Sequence, residues 1–132
     1  MKQFDLVVFA DCHQFYIWDA GIAPYAPEDY ADEDIESMVK VASNVVVSMP
    51  IRNINAFVQL RLHNAEPDVD LAAWDHVVDC SLDLPTGRVQ VHECTGSAKL
   101  DTSVEPGTYR VRAMYSGLDT LQPTVWKATT ST

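Results

Sequence analysis

Residues 74 to 84 alternate between apolar and polar side chains, and this pattern restricts the possible folds more than any other part of the sequence. Adjacent residues of a strand point to opposite faces, so one face would carry Trp74, His76, Val78, Cys80, Leu82 and Leu84. The other face would carry Asp75, Asp79, Ser81 and Asp83, with Val77 among them. Such a strand is typical of an antiparallel sheet with one buried face and one wet face.

Seven further segments predict short strands, and polar or turn-forming residues separate most of them. They are residues 4–10, 13–18, 44–48, 54–63, 88–94, 108–115 and 124–127, the last as an edge strand. Many short strands without an internal repeat indicate two packed sheets. We therefore predict a mainly β fold, an antiparallel β-sandwich of about seven to eight strands with one short helix. Residues 1–128 would form a single domain, and residues 129–132 a frayed tail.

The one helical segment is predicted over residues 32 to 42, where four apolar residues recur at helical spacing: Ile35, Met38, Val39 and Ala42. Asp32 suits the N-cap position, because a short side-chain oxygen there accepts a backbone N–H of the first turn. Glu36 and Lys40 are four residues apart, in the order that stabilises a helix.

The charge balance is strongly acidic, with nine Lys and Arg against 19 Asp and Glu and a net charge of -10. Such a field repels nucleic-acid phosphates and anionic lipid heads, so direct binding of nucleic acid is disfavoured. A basic protein partner would instead be attracted, although solubility alone also explains the charge. No apolar stretch approaches the roughly 20 residues that cross a bilayer, so we expect no membrane insertion and a cytoplasmic location.

Nothing in the sequence resembles an active site. The four histidines are scattered without metal-binding spacing, and His76 lies on the apolar strand face, as a hydrogen-bonded core residue would. Three acids share one strand face, Asp75, Asp79 and Asp83, and each is about 13 Å from the next. This distance is too long for a glycosidase pair. Arg110 and Arg112, outward on another strand, would pair with these aspartates if the two strands were neighbours. Cys12, Cys80 and Cys94 are predicted to be free thiols. We expect no enzyme activity, no metal and no cofactor.

The densest acidic segment covers residues 28 to 36, with six acids in nine residues and no base. Helix capping would explain Asp32, Glu33 and Asp34, but not Glu28 and Asp29. Carboxylates interleaved with a tyrosine also suit a surface that meets a basic cleft. The candidate partner-binding residues are Glu28, Asp29, Tyr30, Asp32, Glu33, Asp34 and Glu36.

Several short motifs, in order over residues 10–115, resemble the competence protein J family, the DNA-entry nuclease inhibitors of competent bacilli. They are His13-Gln14-Phe15, Asp32-Glu33 with Ile35-Glu36, Arg52-Asn53, Ala56-Phe57-Val58, Leu60-Arg61-Leu62, and Pro106-Gly107 with Tyr109. The resemblance implies a small bacterial protein that binds and blocks a DNA-degrading enzyme. The alternative hypothesis is a β-sandwich module that binds a ligand or another protein and has no connection with nucleases.

Overall fold

The computed structural model describes residues 2–9, 14–22, 31–49, 55–62, 71–116 and 124–131. These residues form ten strands, one α-helix and a 3-10 turn at Leu71–Ala73. The strands are β1 (Lys2–Phe9), β2 (Phe15–Asp19), β3 (Val39–Ala42), β4 (Val45–Ser48), β5 (Asn55–Leu62), β6 (His76–Leu84), β7 (Arg88–Glu93), β8 (Ala98–Ser103), β9 (Gly107–Ser116) and β10 (Thr124–Ser131). The helix, α1 (Asp32–Ser37), lies between β2 and β3 in the sequence.

Two five-stranded sheets form a β-sandwich, as the strand pattern predicted. Sheet A has the order β1-β5-β10-β9-β6, and sheet B has the order β3-β4-β2-β7-β8. The main core takes buried side chains from both sheets, such as Leu60 and Tyr115 from sheet A and Phe15 and Val91 from sheet B. No helix in the described ranges has the length and apolar character needed to cross a membrane.

The alternation in β6 is confirmed. Leu82 and Leu84 are buried in the core, and Val78 and Cys80 pack against it. Asp79, on the opposite face, is exposed. The predicted pairing across strands is also present: β9 is the neighbour of β6, and the Arg112 guanidinium contacts the Asp79 carboxylate at 2.8 and 3.1 Å. This hydrogen-bonded ion pair is the main reason that the pKa of Asp79 lies below its ordinary value.

The prediction of a helix through residue 42 was wrong, because the helix ends at Ser37. Met38 adopts a left-handed conformation with φ of 65°, which stops helical hydrogen bonding. Val39 then enters the core as the first residue of β3, the edge strand of sheet B. β-branched residues suit a pleated strand better than a helix, and tertiary packing here overrides the helical spacing.

The C-terminal strand also differs from its prediction. β10 is an interior strand of sheet A, parallel to β5 and antiparallel to β9, and not an edge strand. It continues to Ser131, so residues 129–131 are paired where a frayed tail was predicted. Thr129, for example, pairs with Arg61 on one side and Arg112 on the other. An interior position provides hydrogen-bond partners for the backbone groups on both edges of a strand. The described residues form ten strands, where at most eight were predicted. The two additional strands are β3 and β8.

Asp19 is a fully buried carboxylate at the end of β2. It accepts hydrogen bonds from the backbone N–H groups of Gly21 (2.8 Å) and Thr86 (2.7 Å) and from the Thr86 hydroxyl. Burial raises the pKa of Asp19, but these bonds and one from the Gly87 backbone outweigh it and hold the pKa below its ordinary value. Asp19 therefore ties the end of β2 to the turn between β6 and β7.

Cys80 is expected to resist alkylation while the protein is folded. Burial, helped by the charge of Asp79, raises the pKa of its thiol to about 11, which leaves roughly one thiolate per thousand molecules at pH 8. Mass spectrometry after iodoacetamide treatment at pH 8 should show slow modification of Cys80 in buffer and rapid modification in urea. Equal rates in the two conditions would contradict this environment. Cys80 and Cys94 are both free thiols, and Cys12 lies outside the described residues.

Candidate functional site

Helix α1 carries the described part of the predicted acidic surface. Asp32, Glu33 and Glu36 are exposed on it, and Asp34 is partly buried. Glu28, Asp29 and Tyr30 lie outside the described residues. The helix is not held by a buried face, since none of its residues is buried and the Ile35 side chain is 61% exposed. It presents three carboxylates and one large apolar side chain to solvent.

Asp34 has a structural role in α1 that the sequence pattern did not reveal. Ala31, and not Asp32, is the N-cap, so the predicted cap was wrong by one residue. The carboxylate of Asp34 accepts the backbone N–H of Ala31 at 2.9 Å, which is one half of a capping box. Without a side-chain oxygen at position 31, the acid three residues on stabilises the first turn.

Lys40 approaches α1 from strand β3, and its ammonium lies 3.1 Å from the Asp34 carboxylate. The predicted helical pair of Glu36 and Lys40 was wrong, because Lys40 is not in a helix. The hydrogen bond from the Ala31 backbone, followed by the contact with Lys40, holds the pKa of Asp34 below its ordinary value. Asp34 is therefore ionised and engaged within the molecule, whereas Asp32, Glu33 and Glu36 carry the outward charge.

The C-terminal end of α1 is attached to sheet A by two side chains. The His76 Nε2 atom lies 2.6 Å from the Ser37 carbonyl oxygen, and the Tyr115 hydroxyl donates to the Met38 carbonyl oxygen at 2.7 Å. His76 and Tyr115 are directly paired across β6 and β9, and their ring centroids are 5.5 Å apart. The expectation that His76 is a hydrogen-bonded residue of the apolar face is confirmed, although its side chain is only partly buried.

Sheet B contributes to the same attachment. The Ser48 hydroxyl lies 2.9 Å from the Tyr115 hydroxyl, and both residues are fully buried. A phenol has one proton, so while Tyr115 donates to Met38 it accepts from Ser48. The backbone N–H of Met49 also donates to the Met38 carbonyl, at 2.9 Å. The turn after α1 is thus bonded to both sheets.

Among the described residues, no three His, Cys, Asp or Glu side chains converge as metal ligands would. A small cavity in the sandwich core has an apolar lining that includes Ile17, Leu82 and Val104. It offers no charged group to a substrate.

Solved structures with this architecture are known. No protein-family model matches the chain, and no curated protein matches it. The crystal structure of ComJ from Bacillus subtilis, an inhibitor of the DNA-degrading activity of NucA, superposes with a TM-score of 0.76 at 18% identity. This chain has the ComJ fold. The match to ComJ covers 100% of this chain and 96% of that one.

A second solved structure, described as crocagin biosynthetic gene J, superposes with a TM-score of 0.60 at 16% identity. It covers 97% of each chain. At these identities the likenesses establish the fold alone. At the level of the fold, the likeness to ComJ confirms the resemblance to the competence protein J family. The fold therefore occurs both in a nuclease inhibitor and in a crocagin biosynthetic protein.

Proposed function

We propose that this protein is a non-catalytic, cytoplasmic inhibitor that binds a DNA-degrading enzyme and blocks its DNA-binding cleft. The observation that carries the proposal is the full-length likeness to ComJ, an inhibitor of the DNA-degrading activity of NucA. The acidic character of the chain supports it, because an enzyme cleft that binds DNA phosphates is basic. A chain with a net charge of -10 complements such a cleft.

We propose that the partner meets the acidic segment on and before α1. Asp32, Glu33 and Glu36 supply outward charge on the helix, and Glu28, Asp29 and Tyr30 precede it in the sequence. Carboxylates in this position would pair with Lys and Arg side chains that otherwise hold DNA. Occupation of the cleft would exclude DNA by volume and by charge repulsion, and neither effect needs a catalytic group in the inhibitor.

The proposal is tested by capture of the partner with purified protein in lysate of the native host, identification by mass spectrometry, and reconstitution from two purified proteins. We expect the captured protein to degrade DNA and to form a stable complex in size-exclusion chromatography at low salt. A partner that binds reproducibly but leaves DNA intact when assayed alone would refute the proposal.

The second candidate function is a binding module with no nuclease partner. The likeness to the crocagin biosynthetic protein favours it, because the same fold there belongs to a protein of biosynthesis. Under this hypothesis a small molecule or another protein would be captured, and the acids of α1 would serve solubility only. Capture of a DNA-degrading enzyme distinguishes the first function from the second.

A further inference from the structure

Helix α1 needs an explanation for its stability, because a six-residue helix without a buried side chain is not stable by itself. Isolated helices shorter than about 12 residues are marginal in water, and tertiary packing normally holds them. Here the apolar residue of the helix, Ile35, points outward. Among the described residues, the contacts that hold α1 lie at its two ends.

The contacts at the C-terminal end have an arrangement suited to this task. The carbonyl oxygens of two consecutive residues, Ser37 and Met38, face two paired side chains of sheet A, His76 and Tyr115. The last carbonyls of a helix have no partners within the helix, so donors from elsewhere must satisfy them. A carbonyl can only accept, so His76 contributes the N–H at Nε2. The Tyr115 hydroxyl is itself held in place by a hydrogen bond with the Ser48 hydroxyl of sheet B.

Met38 is held in a backbone conformation that residues with a side chain rarely adopt. Its φ of 65° is unfavourable for a residue with a side chain, and glycine usually takes this position at a helix end. Met38 is nevertheless buried, and its carbonyl receives hydrogen bonds from Tyr115 and from the Met49 backbone. These two hydrogen bonds and the burial of Met38 together offset the cost of this conformation.

We propose that His76 and Tyr115 are positioning residues, which clamp the last turn of α1 to the sandwich and so fix the direction in which its exposed acids point. Neither residue is expected to touch a partner. The claim that the clamp holds the helix is argued from the geometry alone. The claim that the clamp matters for partner binding rests on the proposed function. The clamp would preorganise the acidic surface, which lowers the ordering cost of binding.

The test is amide hydrogen exchange measured by NMR on the full chain. The reporters are the Ile35 and Met38 amides, which donate to the Ala31 and Ile35 carbonyls, and the reference is the Val111 amide in β9. His76→Ala is expected to speed exchange of the two reporters about fivefold to tenfold, since one hydrogen bond to the helix is lost. His76→Gln keeps a side-chain N–H and should restore most of the protection.

Two further variants complete the design. Tyr115→Phe removes only the hydroxyl and should speed exchange of the same two reporters. His92→Ala is the matched control, because His92 is another partly buried histidine whose ring nitrogen lies 2.6 Å from a carbonyl oxygen, that of Glu93. It lies in β7, which is not an immediate neighbour of β3, and should leave the α1 amides unchanged.

The outcomes separate the clamp from the proposed function. Unchanged exchange at Ile35 and Met38 in both His76→Ala and Tyr115→Phe would overturn the clamp, as would an equal acceleration at Val111 or a failure of Gln to restore protection. If exchange changes as expected and a captured partner also binds His76→Ala more weakly, clamp and function both stand. If exchange changes but partner binding does not, the clamp stands and the proposed role of α1 in binding fails.

Discussion

Neutralising the three outward acids of α1 is expected to slow association with a basic partner about tenfold at low salt, because steering by opposite charges supplies one to three powers of ten in association rate. The variant is Asp32→Asn, Glu33→Gln, Glu36→Gln. Asp34 is kept, because it caps the helix and contacts Lys40. The effect should shrink above about 0.5 M salt, where the screening length falls to a few ångströms. Stopped-flow or surface plasmon resonance measurements against the captured partner report the rate.

A matched control separates the local surface from the net charge. Asp5→Asn, Asp83→Asn, Glu105→Gln removes the same number of exposed charges. These lie on β1, at the end of β6 away from His76, and just before β9. We expect this control to slow association by less than about threefold, since charges far from the contact are screened within about 10 Å at 0.1 M salt. An equal fall of the association rate in the two variants would contradict the placement of α1 in the interface.

Replacing Asp19 by Ala is expected to lower the free energy of unfolding by about 3 kcal/mol, because three hydrogen bonds to one buried, ionised carboxylate would be lost. The donors are two backbone N–H groups and the Thr86 hydroxyl. Urea unfolding should show a lower midpoint with an unchanged slope. Asp79→Ala is the control: its carboxylate is 43% exposed and its bond to Arg112 is on the surface, so the cost should stay below about 1 kcal/mol.

The Asp19 effect should also depend on pH. The pKa of Asp19 is lowered in the folded state, so its contribution is complete above the ordinary carboxyl value of 3.8 and is lost as the pH falls through the lowered pKa. The difference between wild type and Asp19→Ala should therefore be constant from pH 5 to 8 and shrink below about pH 4. A difference that grows on acidification would contradict the assigned hydrogen bonds.

The sequence predicted the sandwich well where side chains alternate. In β6, and in β9 as far as Ala113, the alternation of side chains matches buried and exposed faces, because one sheet face meets the core and the other meets water. The parallel pairing of β5 with β10 could not be predicted, since strand order depends on contacts between residues about 70 positions apart. The pattern in β8 was too polar to stand out, as expected for an edge strand with exposed charges.

The candidate site was predicted only in part, for a related reason. The clustering of acids before and within α1 is visible in the sequence, but the end of the helix is set by distant groups. Tyr115 and His76 hold the turn at Met38, and no local pattern around residue 38 contains that information. Likewise, the carboxylate of Asp34 caps the helix because Ala31 has no side-chain oxygen. Asp19 links the end of β2 to the turn after β6 because Thr86, distant in the sequence, lies beside it.

The most direct test of the central claim is a titration of DNA degradation. The captured enzyme, at fixed concentration with linear or plasmid DNA, is mixed with increasing amounts of this protein, and the rate of degradation is followed by gel or fluorescence. We predict that activity falls in proportion to added protein, vanishes at a fixed molar ratio, and returns when the DNA concentration is raised. Degradation that continues at an undiminished rate in a large molar excess of the protein would contradict an inhibitor that occupies the cleft.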